Sequence, residues 1–348
     1  MEDILIDLDL TNCRLDGQRE GVELCDDGNL NNCDTCTNKC KIGPNVQVEE
    51  IDGGTFEMGH SRMRSARPAR TVTVGDFQAG KTEVTVAQFR ACVDAGVCQV
   101  PVLRRPHGCM YTAQPGANEN MPMNCLPWDY ATQYGEWCTE DDDTLPAAGL
   151  LTEAQWEYLA KNGDDQTTYP TGNTVPSYDE AVYGFSSAYN STLVQEVCSK
   201  GTHNENGLMT QTTFGLCDLS GNVSEWVQDN YTRYSSRLPT DGSAVVITRG
   251  RYQYYSPIRG GSFFSRRSAL LMSSYRAPAP RRLARRDIGF RIGCLVSNGE
   301  GCFSATDPAY LNQIPSCQAH DGVGPYPLDC YCDYVASTAP EVMPSECN

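Results

Sequence analysis

The chain has 348 residues, 40% hydrophobic and 20% charged, with 31 glycines, 20 prolines and 18 cysteines. That composition excludes a disordered chain, and a formal charge of −17 excludes nonspecific nucleic-acid binding, which needs a basic surface against phosphate. No run of eighteen apolar residues offers a membrane span.

The opening, MEDILIDLDL, has neither the basic nor the apolar stretch of a secretory signal, as expected of a trimmed mature chain. Residues 1–45 form an acidic cysteine-rich module with Cys25, Cys33, Cys36 and Cys40 in CDDGNLNNCDTCTNKC. So many Asp, Asn and Gly cannot build a core, and crosslinks must hold the segment. Only Cys33–Cys36 has the Cys-x-x-Cys spacing of a zinc knuckle, and the four histidines are scattered. Disulfides in an oxidising compartment are the reading that follows. Within the module, Asp26, Asp27, Asn29 and Asn31 are either hard oxygen donors for calcium or Asx-turn residues between disulfides.

From Val46 the pattern changes. VEEIDGGTFEMG predicts strand, glycine turn and strand, and ARTVTVGDFQAG predicts hairpin material by its alternation. VTVAQFRACVDAG shifts to a 3.6-residue period, with Thr85 as N-cap. A second helix is predicted over Trp128–Cys138. A third lies in LTEAQWEYLAKNG, where Thr152 and Gln155 form a capping box and Gly163 is the stop. The remainder reads as loops and short strands, with Trp137, Trp156 and Trp226 as core anchors. Cys92 with Cys98, and Cys109 with Cys125, are short-loop pairing candidates.

Charge is unevenly placed. From Arg259 to Arg291 there are nine arginines and one acid, Asp287, whereas Leu295 to Asn348 has seven acids and no lysine or arginine. Cysteines divide as five before Val46, eight from there to Cys294 and five in the tail. Odd counts at both ends require a bridge between segments if all are oxidised within one molecule. The domains are therefore expected at 1–45, 46–296 and 297–348, the last an acidic cysteine-rich tail packed on or tethered to the core.

In order, GGTFEMG, KTEVTVAQFRACV, LPWDYATQYGEW, LTEAQWEYLAKNG, YPTGN, GLCDLSGNVSEWVQD, IRGGSFF and DIGFRIG resemble the sulfatase-modifying-factor family of formylglycine-generating enzymes, over Gly53 to Cys294. The first forty-five residues resemble the short cysteine-rich repeats of myxobacterial surface proteins. The family resemblance implies an α+β fold, a variant C-type-lectin-like architecture with little regular secondary structure. It also implies structural calcium at Asn222, the Val223 carbonyl and Glu225. The alternative is metal-free, with Asn222 holding a turn and Glu225 pairing with an arginine.

The family holds copper(I) on two cysteines that follow its Arg-Gly-Gly-Ser block, as a soft ion requires. Counting from Arg259 puts Ser265 at the first position and about Leu270 at the second, and no cysteine occurs between Cys217 and Cys294. No copper and no catalytic residues of the family type are therefore expected. Arg266, Arg267, Arg276, Arg281 and Arg282 lie where the family places its substrate groove and are suited to carboxylate or sulfate. The same arginines could instead pair with the acidic head and tail. The reading that follows is a non-catalytic, secreted or surface-bound bacterial protein that recognises an anionic peptide or glycan. The alternatives are a structural subunit of an extracellular complex, and a divergent oxidoreductase or protein-modifying enzyme.

Overall fold

The computed structural model describes residues 46–100, 108–138, 148–184, 194–203 and 209–295. The cysteine-rich module and the tail lie outside these residues, as do the expectations attached to them.

The fold is α+β, with three α-helices and short strands among long loops in the described residues. β1 (Val48–Ile51), β4 (Phe77–Gly80), β12 (Ile292–Leu295) and β5 (Ala148–Leu150) form an antiparallel sheet in the order β1-β4-β12-β5. A second sheet has the order β10-β9-β8-β11, from β8 (Ser224–Trp226), β9 (Tyr255–Arg259), β10 (Arg276–Pro280) and β11 (Ile288–Phe290). In it only β8 and β11 run parallel. Two ribbons, β2 (Gly54–Met58) with β3 (Arg70–Val74) and β6 (Thr202–His203) with β7 (Met209–Thr210), complete the strands.

The hairpin expected in ARTVTVGDFQAG is not formed. β3 pairs with β2, whereas β4 pairs with β1 and β12. Burial explains the divergence: β3 alternates buried and exposed residues as a one-sided ribbon does, while Phe77, Ala79 and Gly80 of β4 are all buried in the interior of a four-stranded sheet. The turn between β1 and β2 passes so close to β3 that a Cβ on Gly53 would sit 2.3 Å from the Val74 carbonyl oxygen.

Local signals place the helices. In α1 (Val86–Asp94), Thr85 and Gln88 exchange capping bonds, as do Thr152 and Gln155 at α3 (Glu153–Ala160). α3 ends on Lys161 and turns through left-handed Asn162 (φ 54°) ahead of Gly163. α2 (Trp128–Cys138) lies against β5 at Gly135, where a Cβ would approach the Gly149 Cα to 2.7 Å. Trp137, Trp156 and Trp226 are buried as expected. Cys92–Cys98 and Cys109–Cys125 are disulfides, joined by Cys198–Cys217.

α3 carries the main tension of the fold, because all eight of its residues are buried, including Glu153 and Glu157. Uncompensated carboxylates there would be prohibitive, and cations from three directions meet them. Arg276 of β10 grips Glu153 with Nε and Nη2, both at 2.6 Å. Arg259 of β9 reaches Glu153 at 3.1 Å and Glu157 at 2.6 Å. Lys161 closes on Glu157 at 3.0 Å, and the Gly59 N–H donates to the same oxygen. Arg259 also lies over the Trp156 ring. Burial of the ions costs several kcal/mol each, which their mutual attraction offsets in part, with Arg259 Nε left unpartnered. Removing one partner strands the others, so Arg259→Ala should lose about 3–5 kcal/mol of stability in denaturant unfolding.

Asp229 sits at the edge of this cluster, accepting the N–H groups of Glu153 and Val245. Its pKa is pushed up to about 7, first by burial and then by the Glu153 carboxylate. The folded chain thus keeps a proton that the unfolded chain, with an Asp pKa near 4, releases. The group favours folding below about pH 4, and that contribution fades as pH rises towards 7. A carboxyl-carbon NMR titration should place the Asp229 midpoint near 7; a midpoint near 4 would contradict the assignment.

Candidate functional site

Arg259 ends β9 inside the ion cluster, and the next three residues, Gly260, Gly261 and Ser262, make the turn that opens the site. Both glycines have positive φ (83° and 70°), and each is crowded. A Cβ on Gly260 would approach the Leu219 carbonyl oxygen to 3.0 Å, and one on Gly261 the Leu270 carbonyl oxygen to 2.6 Å. The turn folds Ser265 back: its Oγ accepts the Ser262 N–H at 2.9 Å, and its own N–H donates to the Ser262 carbonyl at 2.8 Å. Ser224 of β8 braces the turn from below by donating its hydroxyl to the Gly261 carbonyl at 2.9 Å. Its N–H donates to the Asp287 carbonyl, so β8, the turn and the entry to β11 converge.

At that convergence Ser262 Oγ lies 3.5 Å from Asp287 Oδ2. The exposed Arg285 clamps the Asp287 carboxylate through both oxygens, at 2.8 Å and 2.6 Å. Ser262, Ser265 and Asp287 are buried, with Arg285 on the solvent side. The arrangement is a fixed carboxylate beside the Ser262 hydroxyl, able to accept a proton from Ser262 or from a group brought to it. The sequence reading missed Asp287; its standing as the sole acid among nine arginines was the available clue.

Ser265 stands at the first position the resemblance assigns to a copper-holding cysteine, and Leu270 closes a 3-10 turn after it. All eight described cysteines, Cys92, Cys98, Cys109, Cys125, Cys138, Cys198, Cys217 and Cys294, are disulfide-bonded. Among the described residues, no three His, Cys, Asp or Glu side chains form a group that could hold a metal ion. The family's copper-binding cysteine pair is absent.

The five arginines of the predicted groove do not share one surface. Arg276 is 1% exposed and committed to Glu153. Arg281 is half-buried, its guanidinium 3.8 Å over the Trp128 ring and bonded to Ser256 Oγ. Arg266, Arg267 and Arg282 are exposed. Charge density in the sequence did not distinguish ligands from counter-ions of the core.

Below the turn, Asn222, Val223 and Glu225 enter a buried polar cluster. Asn222, left-handed at φ 51°, donates to Glu83 Oε2 at 2.7 Å and accepts from the Gln195 N–H at 3.0 Å. The Val223 N–H donates to the other Glu83 oxygen at 2.9 Å. Glu225 accepts from Arg291 at 2.8 Å and from the Trp156 indole at 2.8 Å. Both side chains therefore have protein partners. Asp218 differs: Oδ2 accepts the Cys198 N–H at 2.6 Å, while Oδ1 is buried without a partner. Burial pushes its pKa up to about 6, and Glu83 is held well above the usual carboxylate range by burial and by the Asp218 and Glu225 charges. Among the described residues, three buried carboxyls face one arginine, Arg291, a deficit of positive charge. The sequence reading passed over Glu83 and Asp218, since neither lies in a ligand-spaced pattern with Glu225.

Residues 38–294 match the family described as "Sulfatase-modifying factor enzyme 1-like domain". The chain is 26% identical over 268 residues to the formylglycine-generating enzyme of Thermomonospora curvata, covering 58% of this chain and 81% of that one. It is 26% identical over 255 residues to the formylglycine-generating enzyme of Mus musculus, covering 60% and 66%. A further Mus musculus relative, 26% identical over 231 residues (52% of this chain and 68% of that one), is named "Inactive C-alpha-formylglycine-generating enzyme 2". Among solved structures, PvdO from Pseudomonas aeruginosa superposes with a TM-score of 0.58 at 25% identity, covering 72% of this chain and 94% of that one.

These relatives correct the reading of a non-catalytic binding protein. Two of the three curated relatives are enzymes by name, and the similarity spans most of their length, which favours the divergent-enzyme alternative. The missing cysteine pair bears on a separate point, which reaction such an enzyme could run. Incubated with dioxygen, copper(I), a reductant and a sulfatase-type Cys-x-Pro-x-Arg peptide, the protein should form no aldehyde above the free-copper background by mass spectrometry.

Proposed function

The chain belongs to the sulfatase-modifying factor enzyme 1-like family, and from that premise we propose that it is a divergent protein-modifying enzyme working without thiolate-bound copper. The observation that carries the proposal is the pairing of Ser262 with an Arg285-clamped Asp287 at the turn after β9. Asp287, held from both sides, serves as proton acceptor; Ser262 serves as the hydroxyl that presents or relays the proton; Ser265 fixes the turn. A bound polypeptide approaches from the solvent side of Arg285, with exposed Arg266 and Arg267 following on the same turn. A variant C-type-lectin-like architecture is part of the same proposal, supported by the sparse strands and long loops. Secretion or surface display is supported by the oxidised cysteines.

The test uses the intact protein and a peptide library, with products read as covalent mass changes. The wild type should convert a subset of peptides. Asp287→Asn should lower kcat by about 10²-fold or more, within the range for loss of a positioned proton acceptor, with peptide affinity retained. Binding without conversion of any peptide, or conversion indifferent to Asp287→Asn, would overturn the proposal.

Calcium is the cofactor proposed for the cluster beneath the turn. The family implies a structural calcium, and the donors present are the hard oxygens it takes. The unpartnered Asp218 Oδ1 and the surplus of buried carboxylates support the fit. Asp218, the Val223 carbonyl and Glu225 would hold the ion, with Asn222 bracing Glu83. Calcium should raise the melting temperature and chelation lower it, through mass action on the folded state. Asp218→Ala should abolish that response. Unchanged stability in excess chelator, with no bound calcium by elemental analysis, would contradict the assignment.

A further inference from the structure

At the opposite end of β9 from Ser262 lies a surface unconnected with the site. β9 runs from Tyr255 to Arg259, so its two ends are about 13–17 Å apart at the usual rise per residue. Around the Tyr255 end the chain reads RGRYQYY, and from Tyr231 to Arg259 it contains one acid, Asp241. In a chain of net charge −17 that is a marked local reversal.

The surface is built, and not merely a run of charge. Asn230 fastens it, donating to the Tyr252 and Gln253 carbonyls and accepting the Ile247 N–H. The Tyr231 N–H donates to the Tyr255 carbonyl, and the Arg281 N–H to the Tyr254 carbonyl. Pro280 of β10 pairs with Tyr255, which brings Arg282 to the same end of the sheet. The Tyr231 and Tyr252 rings lie 6.4 Å apart. Arg251 is 4.8 Å over the Tyr252 ring and donates to its hydroxyl at 3.0 Å. Arg233 is close enough to act, with Arg251, on the Tyr252 phenol. Arg233, Arg249, Arg251 and Arg282 are all exposed, and none makes an ion pair among the described residues.

We infer that this tyrosine–arginine surface, centred on Arg233, Arg251 and Tyr252, is a docking site for an acidic segment of a partner polypeptide. Arg251, stacked and bonded on Tyr252, is pre-oriented and loses less freedom on gripping a carboxylate bidentately. The tyrosines supply apolar area beside the charge at low entropic cost. Positive charge on this patch favours encounter with an acidic partner and raises its rate. The surface lies apart from Ser262, and the inference stands whether or not the catalytic reading does.

The test is fluorescence anisotropy with a labelled acidic peptide of alternating glutamate and leucine, at about 0.05 and 0.15 M salt. Saturable binding by the wild type is expected. Arg233→Glu with Arg251→Glu, both exposed, should weaken it at least tenfold, and Tyr252→Ala should weaken it severalfold. Arg267→Glu, on the turn at the other end of β9, should leave it unchanged. No binding, binding indifferent to the charge reversals, or binding lost only with Arg267→Glu would overturn the inference. So would Tyr252→Ala without effect, which reduces the surface to nonspecific charge. Preferential binding of an acidic polysaccharide such as polygalacturonate would overturn the assignment to a polypeptide partner.

Discussion

Two carboxylates on a helix with no face to solvent set the terms for the rest of this molecule. Glu153 and Glu157 are buried on α3, and a short helix cannot supply their counter-ions alone. Lys161 comes from its own C-terminal cap, but Arg259 and Arg276 come from adjacent strands more than a hundred residues away. Each ion pair therefore also fixes a backbone register: β9 and β10 are paired with Arg259 directly opposite Arg276. The glycine turn that carries Ser262 starts at one of those arginines, so the site inherits its position from the core. Buried ion pairs are weak evidence for net stability; their consequence here is placement.

Above that framework the chain differs from what its family's copper chemistry requires. Among the described residues every cysteine is in a disulfide, and the turn is lined by Ser224, Ser262 and Ser265 in contact with its backbone. Ser224 ties the turn to β8 through its hydrogen bond to the Gly261 carbonyl. A hydroxyl-lined turn beside a carboxyl group clamped by Arg285 offers oxygen donors and no thiolate, and is unsuited to a soft metal.

What the sequence revealed depended on the range of the interaction. The capping boxes at Thr85 and Thr152 span three residues and were legible, as were the Cys92–Cys98 and Cys109–Cys125 loops and the buried tryptophans. The split of β3 and β4 between two sheets was not, because partner choice depended on β1 and β12, the latter more than two hundred residues on. Arg276 and Arg267 sit in one arginine-rich stretch, yet one is a core counter-ion and the other faces solvent; charge pattern carries no information about depth. The same limit affected the buried polar cluster around Glu225. Asn222 and Glu225 have suitable chemistry and spacing, but protein donors already engage both side chains, and the oxygen with no partner belongs to Asp218.

The dependence of the whole on the α3 ion cluster is most directly tested by a double-mutant cycle on Glu153 and Arg276, using Glu153→Gln, Arg276→Met and the pair, with stability from urea unfolding. If the carboxylate and guanidinium exist for each other, each single variant strands a buried charge. The double variant should then be less destabilised than the sum of the singles by about 2–3 kcal/mol. Losses that add within about 0.5 kcal/mol would show that the two side chains act independently, and the ion cluster could not then be the constraint that positions the site.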